Sequence, residues 1–244
     1  MSGAPPLVLV AHGSRAPRGD RAVVAIADAV AARRPGQVVR LAHLSHAAPS
    51  LPDALTTLAA EGAGSAVVVP LLLSTGFHAT VDIGRAVAAV AEVHPALAVR
   101  VAGPLGPDPL LVAVLRDRAG LPRAGLGVVL AATGSSDPEG RADVERAAVM
   151  LQELAPYDVV GVAFVGGGDP DLTAAIAGAR SRGATAVAVV PYLLGDGHFA
   201  AVVRDNADDA VVVTDPLGAD DRVIELVLRR FDAAAATLPV GARS

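Results

Sequence analysis

Cysteine is absent from all 244 residues, which excludes disulfides, thiolate metal sites and iron–sulfur clusters. Any metal must then rest on imidazole nitrogen or carboxylate oxygen. Lysine is absent too, so all 20 basic residues are arginine. There is no tryptophan, and aromatics make up only 2% of a chain that is 52% hydrophobic. A core with so few rings must be built from Val, Leu, Ile and Ala, as in buried parallel sheets flanked by helices. A net charge of −5 with so few aromatics argues against nucleic acid as a partner. No apolar run approaches about 18 residues free of Gly, Pro or charge, and the start Met1–Pro6 has no basic leader. The reading is a cytoplasmic protein with no membrane partner.

What the chain does have is a repeat of itself. Displaced by 121 positions, LVAHGS (Leu9–Ser14) lies over LAATGS (Leu130–Ser135). Without a gap, VVPLLLSTG (Val68–Gly76) then lies over VVPYLLGDG (Val189–Gly197). About a third of the paired positions across roughly 80 residues are identical, far above chance. A repeat this long means two similar domains, 1–122 and 123–244, with Gly120–Gly125 as the linker. The copies differ in their histidines. His12, His43, His46 and His78 of the first are Thr133, Phe164, Gly167 and Phe199 in the second. The first domain is expected to carry the chemistry, and the degenerate second copy to complete a cleft.

Short apolar runs alternate with helical patterns. Strands are expected at Leu7–Ala11, Val38–Leu44, Ala66–Leu71 and Ala98–Val101, then at Val128–Ala132, Val159–Val165, Ala186–Pro191 and Ala210–Thr214. Helices are expected at Arg21–Arg33, Pro52–Glu61, Val81–Glu92 and Leu110–Asp117, echoed by Arg141–Leu154, Leu172–Arg182, Ala200–Asp208 and Asp220–Asp232. Continuous apolar strands separated by helices predict an α/β fold: two parallel-sheet domains of Rossmann- or flavodoxin-like type. A smaller echo, Pro104–Gly106 against Pro216–Gly218, breaks the 121 offset and points to a difference in loop length. In such sheets ligands bind beyond the carboxyl ends of the strands. His12 follows the first strand, His43 and His46 close the second, and His78 lies just past the third. All four fall at one edge.

His12-Gly-Ser14 enters a loop with Arg15 and Arg18, where backbone N–H groups and guanidinium groups could hold an anion. Gly76 permits a tight turn before His78. On a helix Asp82 shares a face with His78 at i,i+4 and could orient its imidazole. His43 and His46 are each a third ligand or a wall residue. His94 reads as a helix terminator, and His198 as structural, since the register pairs it with Phe77. No phosphate-binding glycine motif follows a strand, and no GxSxG elbow accompanies Val10-Ala-His-Gly13.

The segments AHGSR (Ala11–Arg15), APSLPDAL (Ala48–Leu55) and PLLLSTGFHATVDI (Pro70–Ile83) resemble the sirohydrochlorin cobalt- or iron-chelatase family, the CbiX/SirB-like tetrapyrrole chelatases. The likeness covers nearly the whole chain. It implies two similar domains around an open cleft, and an ATP-independent lyase acting in sirohaem or cobalamin biosynthesis. It also implies that His12 and His78 bind the metal and take up pyrrole protons. Related chelatases often carry a carboxylate where Ser45 stands; the resemblance then implies either His43 or His46 as a substitute ligand or a site with only two protein ligands, and Gly84 replaces a proline. No tightly bound cofactor is implied; the divalent metal, Co²⁺, Fe²⁺ or Ni²⁺, is a substrate. The macrocycle is a polycarboxylate, so Ser14, Arg15, Arg18, Gly76 and Arg85 are read as its binding residues, with Arg204 from the second half. Two other readings remain open: a carrier of metal or tetrapyrrole derived from a chelatase, and a phosphate-handling enzyme using His12 and its arginines. A chain that holds both halves of a cleft points to a monomer.

Overall fold

Sixteen elements alternate strictly in the computed structural model, which describes residues 4–13, 17–135, 137–207 and 211–239, with side chains at 17–19, 77–79 and 211 outside the description. The first sheet holds β1 (Leu7–Ala11), β2 (Val39–His43), β3 (Ser65–Pro70) and β4 (Ala98–Val101), all parallel, in the order β2-β1-β3-β4. The second holds β5 (Leu126–Ala132), β6 (Val159–Phe164), β7 (Ala186–Pro191) and β8 (Val211–Val213), in the order β6-β5-β7-β8. The order follows from apolarity. LVLVA and SAVVVP are buried along their whole length and take the interior places β1 and β3, whereas β2 and β4 are half-exposed edges. This is the expected α/β architecture of two like sheets.

The helices are α1 (Pro17–Arg33), α2 (Leu51–Ala60), α3 (Phe77–Val93) and α4 (Pro109–Ala119), then α5 (Pro138–Leu154), α6 (Leu172–Ser181), α7 (His198–Asn206) and α8 (Asp221–Ala235). Their starts are written in the sequence. Ser50 caps α2 in a reciprocal capping box with Asp53, and Asp171 caps α6 at the equivalent place. Asp108 and Asp137 cap α4 and α5, each with a proline in the first turn. Leu51, Leu55 and Leu58 of α2 pack with Val8, Val10 and Val68 in the first core, and Ile176 of α6 with Val129 and Val189 in the second.

The repeat is kept in the pairing register: Ala11 lies beside His43 as Ala132 lies beside Phe164, and Val10 beside Pro70 as Ala131 beside Pro191. The offset breaks in a helix rather than a loop. α3 runs for 17 residues and α7 for only 9, although both begin at the equivalent position.

The compact units do not follow a cut at residues 122–123. One unit comprises 1–72, 77–105 and 224–244; the other comprises 73–76 and 106–223. Helix α4, from the first copy, packs on α5 and β7 of the second unit through its buried face of Leu111, Val112, Val114 and Leu115. Most of α8, from the second copy, belongs to the first unit. There Arg230 donates to the carbonyl oxygens of Pro104 (2.9 Å) and Leu105 (3.3 Å), and Asp232 pairs with Arg34 at 2.5 Å. Each copy therefore gives its last helix to the other sheet's unit. Among the described residues no helix is long and apolar enough to cross a membrane.

Candidate functional site

The ladder between β1 and β2 continues past both strand ends, and this brings two loops together. Leu44 donates its N–H to the Ala11 carbonyl (2.9 Å), and Ser45 donates both its N–H and its Oγ–H to the His12 carbonyl, each at 3.0 Å. Ser45 thus fixes the main chain of His12. The close approach requires Gly13. Its φ is +90°, and a Cβ there would lie 1.8 Å from the Ser45 carbonyl oxygen. Gly134 repeats the device in the second copy with φ +88°.

His12 is exposed immediately beyond β1, and its ring meets that of His46 edge to face, with centroids 6.3 Å apart. Both rings offer nitrogen donors of the kind that divalent transition metals take. His46 is also exposed and is the one described non-glycine residue at positive φ, +63°. The second copy uses Gly167, φ +105°, at that position. Left-handed backbone costs a non-glycine residue roughly 1–2 kcal/mol, so the imidazole is kept at a place where glycine would be easier.

His43 is different. As the last residue of β2 it is only 5% exposed, and neither ring nitrogen has a hydrogen-bond partner. Leaving buried polar atoms unpaired costs about 1–3 kcal/mol. Phe164 fills the equivalent place in the second copy, with the Arg141 guanidinium carbon 4.8 Å above its ring centroid. In place of His43 and His46 the second copy thus has a buried phenylalanine, Phe164, and a glycine, Gly167.

His78 is the second residue of α3; its side chain, like that of Arg18, lies outside the description, and Ser14 and Arg15 lie outside the described residues. Asp82 and Arg85 are exposed one and two turns into α3 and pair with each other at 3.9 Å. Such surface pairs contribute little stability. Arg204 pairs instead with Asp196 at 2.5 Å in the second unit. His94 ends α3 as expected, its N–H bonded to the Val90 carbonyl. His198 opens α7, exposed, with its ring 5.2 Å from that of Phe199. Among the described residues no group of three or more His, Asp or Glu side chains is gathered tightly enough to hold a metal ion.

The Leu73–Gly76 segment, which leads from β3 into α3, is anchored within the second unit. Asp143 of α5, only 1% exposed, accepts from the Thr75 N–H at 2.6 Å and from the Thr75 hydroxyl, and also from the Arg146 guanidinium. The Tyr192 hydroxyl donates to the Leu73 carbonyl at 2.9 Å. Burial, chiefly, holds that phenol well above its ordinary range. Gly106 leaves the room: a Cβ there would stand 2.2 Å from the Tyr192 hydroxyl and 2.3 Å from the Leu73 oxygen. The histidine pattern gave no hint of Asp143 or Tyr192. The signal lay in the repeat, where Ala22 and Leu71 occupy their places in the first copy.

The CbiX family model matches residues 6–120 and again 127–234. The sirohydrochlorin ferrochelatase of Bacillus subtilis (strain 168) is 29% identical over 194 residues, spanning 78% of this chain and 74% of that protein. The structure of SirB from Bacillus subtilis with Fe³⁺ superposes with a TM-score of 0.81 at 27% identity, covering 96% of both chains. The sirohydrochlorin chelatase SirB from Bacillus subtilis subspecies spizizenii in complex with cobalt gives 0.78 at 25% identity, covering 98% of both.

Proposed function

The chain belongs to the CbiX family, and from that premise we propose that it is a sirohydrochlorin metal chelatase inserting Fe²⁺ or Co²⁺ in sirohaem or cobalamin biosynthesis. The observation that carries the proposal is the pair of exposed imidazoles, His12 and His46, at the carboxyl edge of the first sheet, with His78 opening the helix after the next strand. The relatives named for iron and for cobalt support the same chemistry.

The reaction exchanges one divalent cation for the two pyrrole protons of the macrocycle. A group that serves it must bind the ion loosely, release it to four ring nitrogens, and accept protons near neutrality. Imidazole does all three. His12 and His78 hold the ion and take up the protons, and His46 supplies a third donor beside His12. His43 is left out of this set because both its nitrogens lie beneath the surface, where a macrocycle cannot receive an ion from them. Asp82 orients His78 from one turn along α3. Ser14, Arg15, Arg18, Gly76 and Arg85 bind the carboxylated macrocycle. The chain works as a cytoplasmic monomer, without a resident cofactor, a nucleic acid or a membrane.

Anaerobic insertion of Co²⁺ or Fe²⁺ into sirohydrochlorin, followed by absorbance, tests the proposal. Many macrocycles metallated per protein are expected. One macrocycle or one ion bound per protein, with no rate above the protein-free reaction, would make it a carrier instead.

A further inference from the structure

The two copies have diverged in both directions. The second lost four histidines, but it carries Asp143 and Tyr192 where the first has Ala22 and Leu71. Both of these residues bind the same short segment, Leu73–Gly76, which belongs to the first copy in sequence and to the second unit in space. The matching segment of the second copy, Leu194–Gly197, has an exposed ion pair from Asp196 to Arg204 instead. One loop is thus pinned by a buried carboxylate and a buried phenol, and its counterpart is not.

A buried carboxylate is costly unless its hydrogen bonds are made. Asp143 makes them with the Thr75 N–H, the Thr75 hydroxyl and Arg146, so the segment and the carboxylate depend on each other. Gly106 gives the backbone clearance, since a Cβ there would collide with both the Tyr192 hydroxyl and the Leu73 oxygen. Two residues beyond the pinned segment the chain reaches His78. We infer that Asp143 and Tyr192 are positioning residues for the chelatase reaction: by fixing Leu73 and Thr75 they set where α3 begins, and with it His78. The degenerate copy then supplies the support, while the first supplies the imidazoles. This inference rests on the chelatase reading.

Misplacing a reacting group by about 1 Å costs on the order of 100-fold in rate. Asp143→Asn and Tyr192→Phe are expected to lower kcat for Co²⁺ insertion by roughly 10- to 100-fold, with KM for sirohydrochlorin little changed. In a His78→Ala background the same substitutions are expected to have no further effect, because the group they place is gone. A role in folding alone would lower the residual rate equally in both backgrounds, and that result would overturn the inference. So would unchanged kcat in both variants of an active enzyme. A second readout needs no activity: amide exchange of the peptide spanning residues 73–84 is expected to quicken in both full-length variants while the β5 peptide does not change. Unaltered exchange there would reject the inference even if the wild type proved inactive, a result that by itself would sink only the chelatase reading.

Discussion

Gly13, His43 and His46 show how much a single position decides. A methyl group at Gly13 meets the Ser45 carbonyl and a positive φ together, so Gly13→Ala is expected to cost at least about 2 kcal/mol, read by urea unfolding. His43→Phe copies the second repeat and removes two unpaired buried nitrogens. It should raise stability by about 1 kcal/mol and leave metal insertion intact; loss of insertion would return His43 to the ligand set. His46→Gly exchanges left-handed strain for glycine entropy, both of order 1 kcal/mol. Its stability should therefore stay close to wild type, while Co²⁺ affinity, measured by calorimetry, falls. The His12 and His78 positions were legible because each follows a strand in a βα pattern. The parts played by Ser45 and Asp143 were not, because both work through bonds between residues that are distant in sequence.

At the level of elements, the strands and helix starts follow from apolar runs and capping residues, and nearly all of them were legible. The nine-residue α7 was not: the broken offset read as a difference in loop length, whereas the helix itself is shortened. The junction of α4 and α8 offers a pH test. Arg222 donates to both carboxylate oxygens of Asp220 (2.9 Å each) and to Asp117 at 2.6 Å. Arg116, then Arg222, holds the Asp117 carboxyl below its ordinary range, and Arg222 does the same for Asp220. Carboxyls lowered in the folded state contribute stability that is fully present above their unfolded value of about 4 and is lost as pH falls through the folded values. Arg222→Gln is therefore expected to cost about 1–2 kcal/mol at pH 7. The gap to wild type should narrow below about pH 4. A gap that stays constant down to pH 2 would show that the pairing contributes nothing.

For the whole molecule, duplication was readable and the exchange of final helices was not. Sequence repeats record descent, whereas compact units record packing, and nothing in the pattern of α4 or α8 names the sheet it covers. The exchange predicts that fragments 1–122 and 123–244, expressed separately, fail to unfold cooperatively. The first lacks the helix that covers its unit, and it exposes Leu111, Val112, Val114 and Leu115 of α4, which pack against α5 and β7. Circular dichroism during urea titration reads this directly.

If metal insertion belongs to the first copy alone, its histidines must matter and the one at the equivalent edge of the second copy must not. The anaerobic Co²⁺ insertion rates of His12→Ala, His78→Ala and His198→Ala, taken beside wild type, decide between these cases. At least a 100-fold loss is expected in the first two and a wild-type rate in His198→Ala. Equal rates in all four proteins, or a loss confined to His198→Ala, would show that the first copy's histidines do not carry the reaction.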